Sequence, residues 1–149
     1  MFGSILVGTD GSETARTAVR SAIELARQLG AALHIVSAYE PPSVQRLRGA
    51  GDTASTSERE WAVSPHADVI ALLEDARREA QQAGLEAVET FARQGDAADA
   101  ILDVAEEQRS GLIVVGNKGM TGAKRFLLGS VPNKVSHHAP CSVLIVRTT

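Results

Sequence analysis

At 149 residues and 44% hydrophobic content, the chain is sized for one domain spanning 1–149 that buries roughly two thirds of the surface its unfolded form exposes. No run approaches the roughly 18 uninterrupted apolar residues of a membrane span, the opening "MFGSILVGTDGS" lacks a basic leader, and the lone Cys141 excludes both an internal disulfide and a thiolate metal cluster, so a cytoplasmic protein is expected. The net charge of −3 is uneven: residues 108–149 carry Arg109, Lys118, Lys124, Arg125, Lys134 and Arg147 with no acid, against nine basic and eighteen acidic residues elsewhere, a balance that suits a small bound anion, or else marks only a solvated face.

The first element, "SILVGTD" (Ser4 to Asp10), is a short apolar run closed by turn residues, as a buried parallel strand should be. In "SETARTAVRSAIELARQLG", Ala15, Ala18, Val19, Ala22, Ile23, Ala26 and Leu29 recur at three and four. That spacing predicts a helix with one apolar face, Ser12 as N-cap and Gly30 as the stop. "AALHIVSAY" (Ala31 to Tyr39) is a second strand, with His34 as a structural residue. Glu40 to Pro65 has no sustained period and is rich in Pro, Gly, Ser and Thr, so it is expected to be a long mobile loop.

A helical pattern returns from His66 to Gly84, with Val69, Leu72, Leu73, Ala76 and Ala80 on one side. "LEAVETFAR" (residues 85–93) alternates Leu85, Ala87 or Val88, and Phe91, which predicts a strand. "GDAADAILDVAEEQRSG" predicts a helix capped by Asp96, with Ala98, Ile101, Leu102 and Ala105 facing the core. "LIVVG" (residues 112–116) is the most strand-like run in the chain. A glycine-rich stretch follows, then a short helix beginning near Ser130 and a last strand, "CSVLIV", in which Cys141 reads as a small buried hydrophobe. His137 and His138 are adjacent, so they diverge on a helix and make a poor metal pair.

Strand and helix thus alternate five times. The pattern implies an α/β fold: a single three-layer domain with a five-stranded, mostly parallel sheet, right-handed crossovers and helices on both faces. In such sheets ligands bind beyond the carboxyl ends of the strands, where strand order reverses. The loops that matter are therefore "GTDGS", "SAYEPP" and "GNKGMTG".

"VVGNKGMTGAKRFLLGSVPNKV" (Val114 to Val135) places Gly116, Gly119 and Gly122 just after a strand and Gly129-Ser130 at a helix start. Bare backbone there lets a ligand approach closely, and exposed N–H groups with a helix N-terminus form an anion cradle. Neither G-x-x-x-x-G-K-[ST] nor G-x-G-x-x-G is present. What remains is G-x-x-G-x9-G-[ST]. With "ILVGTDGS" and the closing "GSVPNKVSHHAPCSVLIVR", it makes essentially the whole chain resemble the universal stress protein family, in its nucleotide-binding branch.

The resemblance implies a Rossmann-like sheet, similar to the adenine nucleotide alpha hydrolases, that binds ATP or another adenine nucleotide, cyclic AMP included. Carried over, Gly8, Thr9 and Asp10 form the first-strand turn, with Asp10 near the ribose and any nucleotide-bound Mg. Ala38 meets the adenine. Val115, Gly116, Asn117, Lys118, Gly119 and Gly122 wrap the ribose and phosphates, and Gly129, Ser130 and Val131 hold the phosphate tail. It also implies a stress-response role and a homodimer formed through the last strand. An apolar edge strand needs a cover in any case.

The residues themselves argue against turnover. Phosphoryl transfer needs a metal clamp, a positioned nucleophile and charge stabilisation. Asp10 has no second carboxylate in the C-terminal segment to work with, and no G-x-S-x-G elbow exists. No catalytic residue and no protein-held metal are assigned, and at most slow ATP hydrolysis is expected. Three Phe, one Trp and one Tyr, without a basic patch interleaved among them, do not suit nucleic acid. The alternative function is a dimeric protein-interaction module whose glycines serve only the fold.

Overall fold

The computed structural model describes residues 2–39, 65–117 and 128–148. Within them strands and helices alternate as β1 (Ser4–Gly8), α1 (Glu13–Leu29), β2 (Ala32–Tyr39), α2 (Pro65–Gln82), β3 (Val88–Gln94), α3 (Ala97–Glu107), β4 (Leu112–Gly116), α4 (Ser130–His138) and β5 (Ser142–Val146). The expected loop at 40–65 lies outside the described residues up to position 64. The five strands form one sheet in the order β3-β2-β1-β4-β5, every pairing parallel. From β1 the chain winds out to β3 on one side, then returns to β4 and β5 on the other. Strand order therefore reverses between β1 and β4.

The continuous apolar runs of β1 and β4 follow from burial on both faces. Ile5, Val7, Leu33, Ile35 and Val114 pack against Ala18, Val19, Ala22, Ile23 and Ala26 of α1 and Leu73, Ala76 and Ala80 of α2. The alternate residues Leu6, Val36, Ile113 and Val115 pack against Ala98, Ala100, Ile101, Val104 and Ala105 of α3 and Val135 of α4. Each fully buried Leu or Ile contributes about 1.5–3 kcal/mol over an exposed one. This is the expected three-layer α/β fold. Among the described residues, no helix is long and apolar enough to cross a membrane.

The helix ends follow the capping chemistry. Ser12 Oγ accepts the Ala15 N–H at 3.2 Å, Asp96 accepts the Asp99 N–H at 3.1 Å, and Gly30 closes α1 at φ 65°. Leu29, expected on the buried face of α1, is 50% exposed. Periodicity gives a residue's angle around a helix, not whether another element lies opposite it. β3 begins at Val88 rather than Leu85 because α2 ends in a Schellman turn: Leu85 N–H reaches Ala80 O, Gly84 N–H reaches Gln81 O, and Gly84 has φ 99°. Leu85 is buried as the hydrophobic closure of that turn. Cys141 is only half-buried, packed at the margin of the second core, and desolvation raises its thiol pKa.

His34 has the structural role expected of it. It is buried within β2, shares a 3.4 Å hydrogen bond between Nδ1 and Ser4 Oγ, and meets the Phe91 ring edge-on. Desolvation lowers its pKa from the usual 6.5, with Glu89 opposing. The folded state thus binds a proton less readily than the unfolded chain. Stability held above pH 6.5 should fall as pH drops from there through the folded value. His34→Phe is expected to flatten that acid limb, read as the difference in urea midpoint between pH 7.5 and 5.5; an unchanged difference would show that His34 does not cause it.

Candidate functional site

The reversal between β1 and β4 opens a cavity of about 390 Å³ at the carboxyl ends of the strands. Its first wall is the turn after β1. Thr9 N–H stays bonded to Val36 O at 2.9 Å, the Thr9 hydroxyl accepts the Gly11 N–H at 3.2 Å, and Asp10 Oδ1 accepts the Ser12 N–H at 2.9 Å. These side-chain bonds, with Gly11 at φ 81°, form the Asx-type turn favoured by Asp and Gly. Asp10 is exposed and lines the cavity. It both forms the turn and lines the cavity.

The deeper wall is apolar. Val36 and Ala38 come from β2, Val115 from β4, and Ala97, Ala100 and Ile101 from α3. Gly8 lies between them, and a Cβ there would sit 2.5 Å from Ile101 Cδ1 and 2.9 Å from its Cγ1. A side chain at position 8 would therefore force the Ile101 side chain of α3 to shift. The α3 wall was not read from the sequence. Its signal was the cluster Ala97, Ala98 and Ala100 after the Asp96 cap, small residues that leave room beside a sheet.

At the other end stands the start of α4. Gly129 is its N-cap, with no side-chain cap bond, at φ −61° and ψ 164°. Ser130 is thus the first helical residue, as its place at the helix start led one to expect, and the cap itself is Gly129. The Gly129 N–H donates to Asn117 O at 2.9 Å, and Pro132 has no N–H to offer. The Ser130 and Val131 amides are left without an intrahelical acceptor, at the positive end of the helix dipole. Gly129, Ser130 and Val131 all line the cavity.

The structure therefore gathers Gly8, Thr9, Asp10, Ala38, Val115, Gly116, Gly129, Ser130 and Val131 around one space. Asn117 does not line it; its side-chain oxygen instead accepts the N–H and hydroxyl of Thr148 at 2.8 and 2.9 Å. Lys118, Gly119 and Gly122 lie outside the described residues. Of the basic segment, Lys134 binds Asp99 at 2.7 Å and Asp96 at 3.5 Å. The hydrogen bond to Asp99 raises its pKa against desolvation, with the charges of both acids adding to the rise. Its charge is committed to the start of α3.

Comparison with known proteins points in one direction. The family model described as "Universal stress protein family" matches residues 1–147. Universal stress protein Rv1636 of Mycobacterium tuberculosis is 36% identical over 148 residues, covering 99% of this chain and 98% of its own. Universal stress protein YxiE of Bacillus subtilis is 36% identical over 149 residues, covering 99% and 100%. Among solved structures, a universal stress protein in complex with cAMP superposes with a TM-score of 0.75 at 32% identity, covering 99% and 98% of the two chains. UspA from Lactobacillus plantarum does so at 0.74 and 26% identity, covering 98% of each.

Proposed function

The chain belongs to the universal stress protein family, and we propose that within it this protein binds an adenine nucleotide between β1 and β4, as a nucleotide-dependent regulator of the stress response rather than a turnover enzyme. The observation that carries this is the shape of the cavity: one space runs from an apolar wall to a helix N-terminus. Its volume falls in the usual range of small-molecule sites. The apolar stretch around Ala38, Ala100 and Ile101 suits a purine, Asp10 and Gly116 flank the sugar, and the Ser130 and Val131 amides suit phosphate.

Gly129 supports the same placement. Its backbone angles are open to any residue, so the backbone conformation does not call for glycine, and the missing side chain leaves room for close approach of a ligand. The cAMP carried by a 32% identical relative supports an adenine nucleotide and leaves ATP and cyclic AMP as the two forms to separate. With a polyphosphate, Asp10 is the carboxylate placed to meet an accompanying Mg ion. Among the described residues β5 pairs only with β4 and leaves Leu144 40% exposed, a surface suited to a second copy in a cytoplasmic homodimer.

The test is to strip the purified protein of bound nucleotide and titrate it with ATP, ADP, AMP and cyclic AMP, with and without Mg. Saturable binding of at least one is expected, and Gly129→Val should weaken it by about tenfold or more with the fold intact. Binding of none would overturn the nucleotide reading in favour of a protein-interaction module; unchanged affinity in folded Gly129→Val would remove the phosphates from the start of α4.

A further inference from the structure

Asn117 follows directly on Gly116 at the end of β4, where a ligand contact was expected, yet its backbone N–H, its carbonyl and its side-chain oxygen all bond within the protein. Its N–H donates to Val146 O at 2.9 Å, and its carbonyl accepts the Gly129 N–H at 2.9 Å. Its side-chain Oδ1 accepts both the Thr148 N–H at 2.8 Å and the Thr148 hydroxyl at 2.9 Å. One residue thereby joins the cavity's β4 rim, the N-cap of α4 and the segment that follows β5. Two donors on one amide oxygen, in a part-buried setting, hold it more firmly than either alone.

We propose that Asn117 is a positioning residue: it ties the α4 N-terminus to the C-terminal end of β5, so that Thr148, itself outside the cavity, sets how well the Ser130 and Val131 amides are aimed into it. As a claim about affinity it rests on the nucleotide reading of the cavity. The physical case is preorganisation. A first turn held by Gly129 N–H to Asn117 O meets an anion already ordered, whereas a loosened one must be ordered at the moment of binding.

The test uses the full chain with Asn117→Ala, Thr148→Pro and the double variant. Thr148→Pro removes the N–H and the hydroxyl together while leaving Asn117 in place. Each single variant is expected to lower nucleotide affinity by about tenfold, and the double variant by no more than either, because both break one link. Hydrogen exchange at the Gly129 amide, measured without ligand, should accelerate by a similar factor in each. A loss in Asn117→Ala with none in Thr148→Pro would mean a direct ligand contact and overturn the proposal, as would additive losses or unchanged exchange at Gly129. If the wild type binds no adenine nucleotide, the functional reading fails separately, and exchange at Gly129 alone decides whether the tie exists.

Discussion

Gly8→Val is expected to lower stability by about 2–3 kcal/mol and to weaken nucleotide binding by about tenfold or more. The new Cβ would lie 2.5 Å from Ile101 Cδ1 and 2.9 Å from Cγ1, inside any permitted contact. Ile101 is only 4% exposed and belongs to the second core with Leu6, Val36 and Val104. Interiors at crystal-like density have little room for such a shift. The open direction is the cavity, which Ile101 already lines. The substitution should therefore cost stability by overpacking and affinity by pushing a side chain into the ligand's space.

Two measurements separate these effects. Urea unfolding at constant slope gives the stability loss, and titration of the folded variant gives the loss of affinity. Ile101→Ala supplies the control by removing both clashing carbons. It carries its own cavity cost, but in its background the change from Gly8 to Val should cost under about 0.5 kcal/mol, a coupling that only contacting residues show. Equal cost in both backgrounds would mean that Gly8 is glycine for a different reason.

Gly8 also shows where a sequence stops being legible. The resemblance put Gly8 in the first-strand turn and it does line the cavity, but the atoms a side chain there would meet belong to Ile101 on a distant helix. The strands, helices and caps were readable because each depends on local periodicity or on capping residues such as Ser12, Asp96 and Gly30, whereas the strand order that puts the reversal between β1 and β4 depends on long-range pairing. The glycine spacing pointed to the end of β4 and the start of α4, where Gly116 and Gly129 line the cavity, because bare backbone is itself a sequence signal. Ala97 and Ala100 gave a weaker signal, a cluster of small residues that does not say what the space beside it is for. Their periodicity reports burial without saying what lies opposite, and the same limit hid the turn of Asn117 toward Thr148.

Ser130→Glu should separate the two ends of the site. Ser130 is the first residue of α4 and is exposed, so the fold loses no buried contact. A carboxylate in the first helical turn is favoured by the dipole by about 0.3–1 kcal/mol, so stability should hold or rise slightly. Binding should fall, because the carboxylate occupies the region proposed for phosphate. Two unit charges about 4 Å apart repel by about 4 kcal/mol at an effective dielectric of 20, and exposure and salt reduce this to about 1–2 kcal/mol, an affinity loss of about five- to thirtyfold. The loss should grow with phosphate charge, largest for ATP, then ADP, AMP and cyclic AMP, and be absent for adenosine. It should also shrink as salt rises. A simple obstruction at the mouth of the cavity would weaken all five ligands alike and ignore salt, and that result would place the phosphates away from α4.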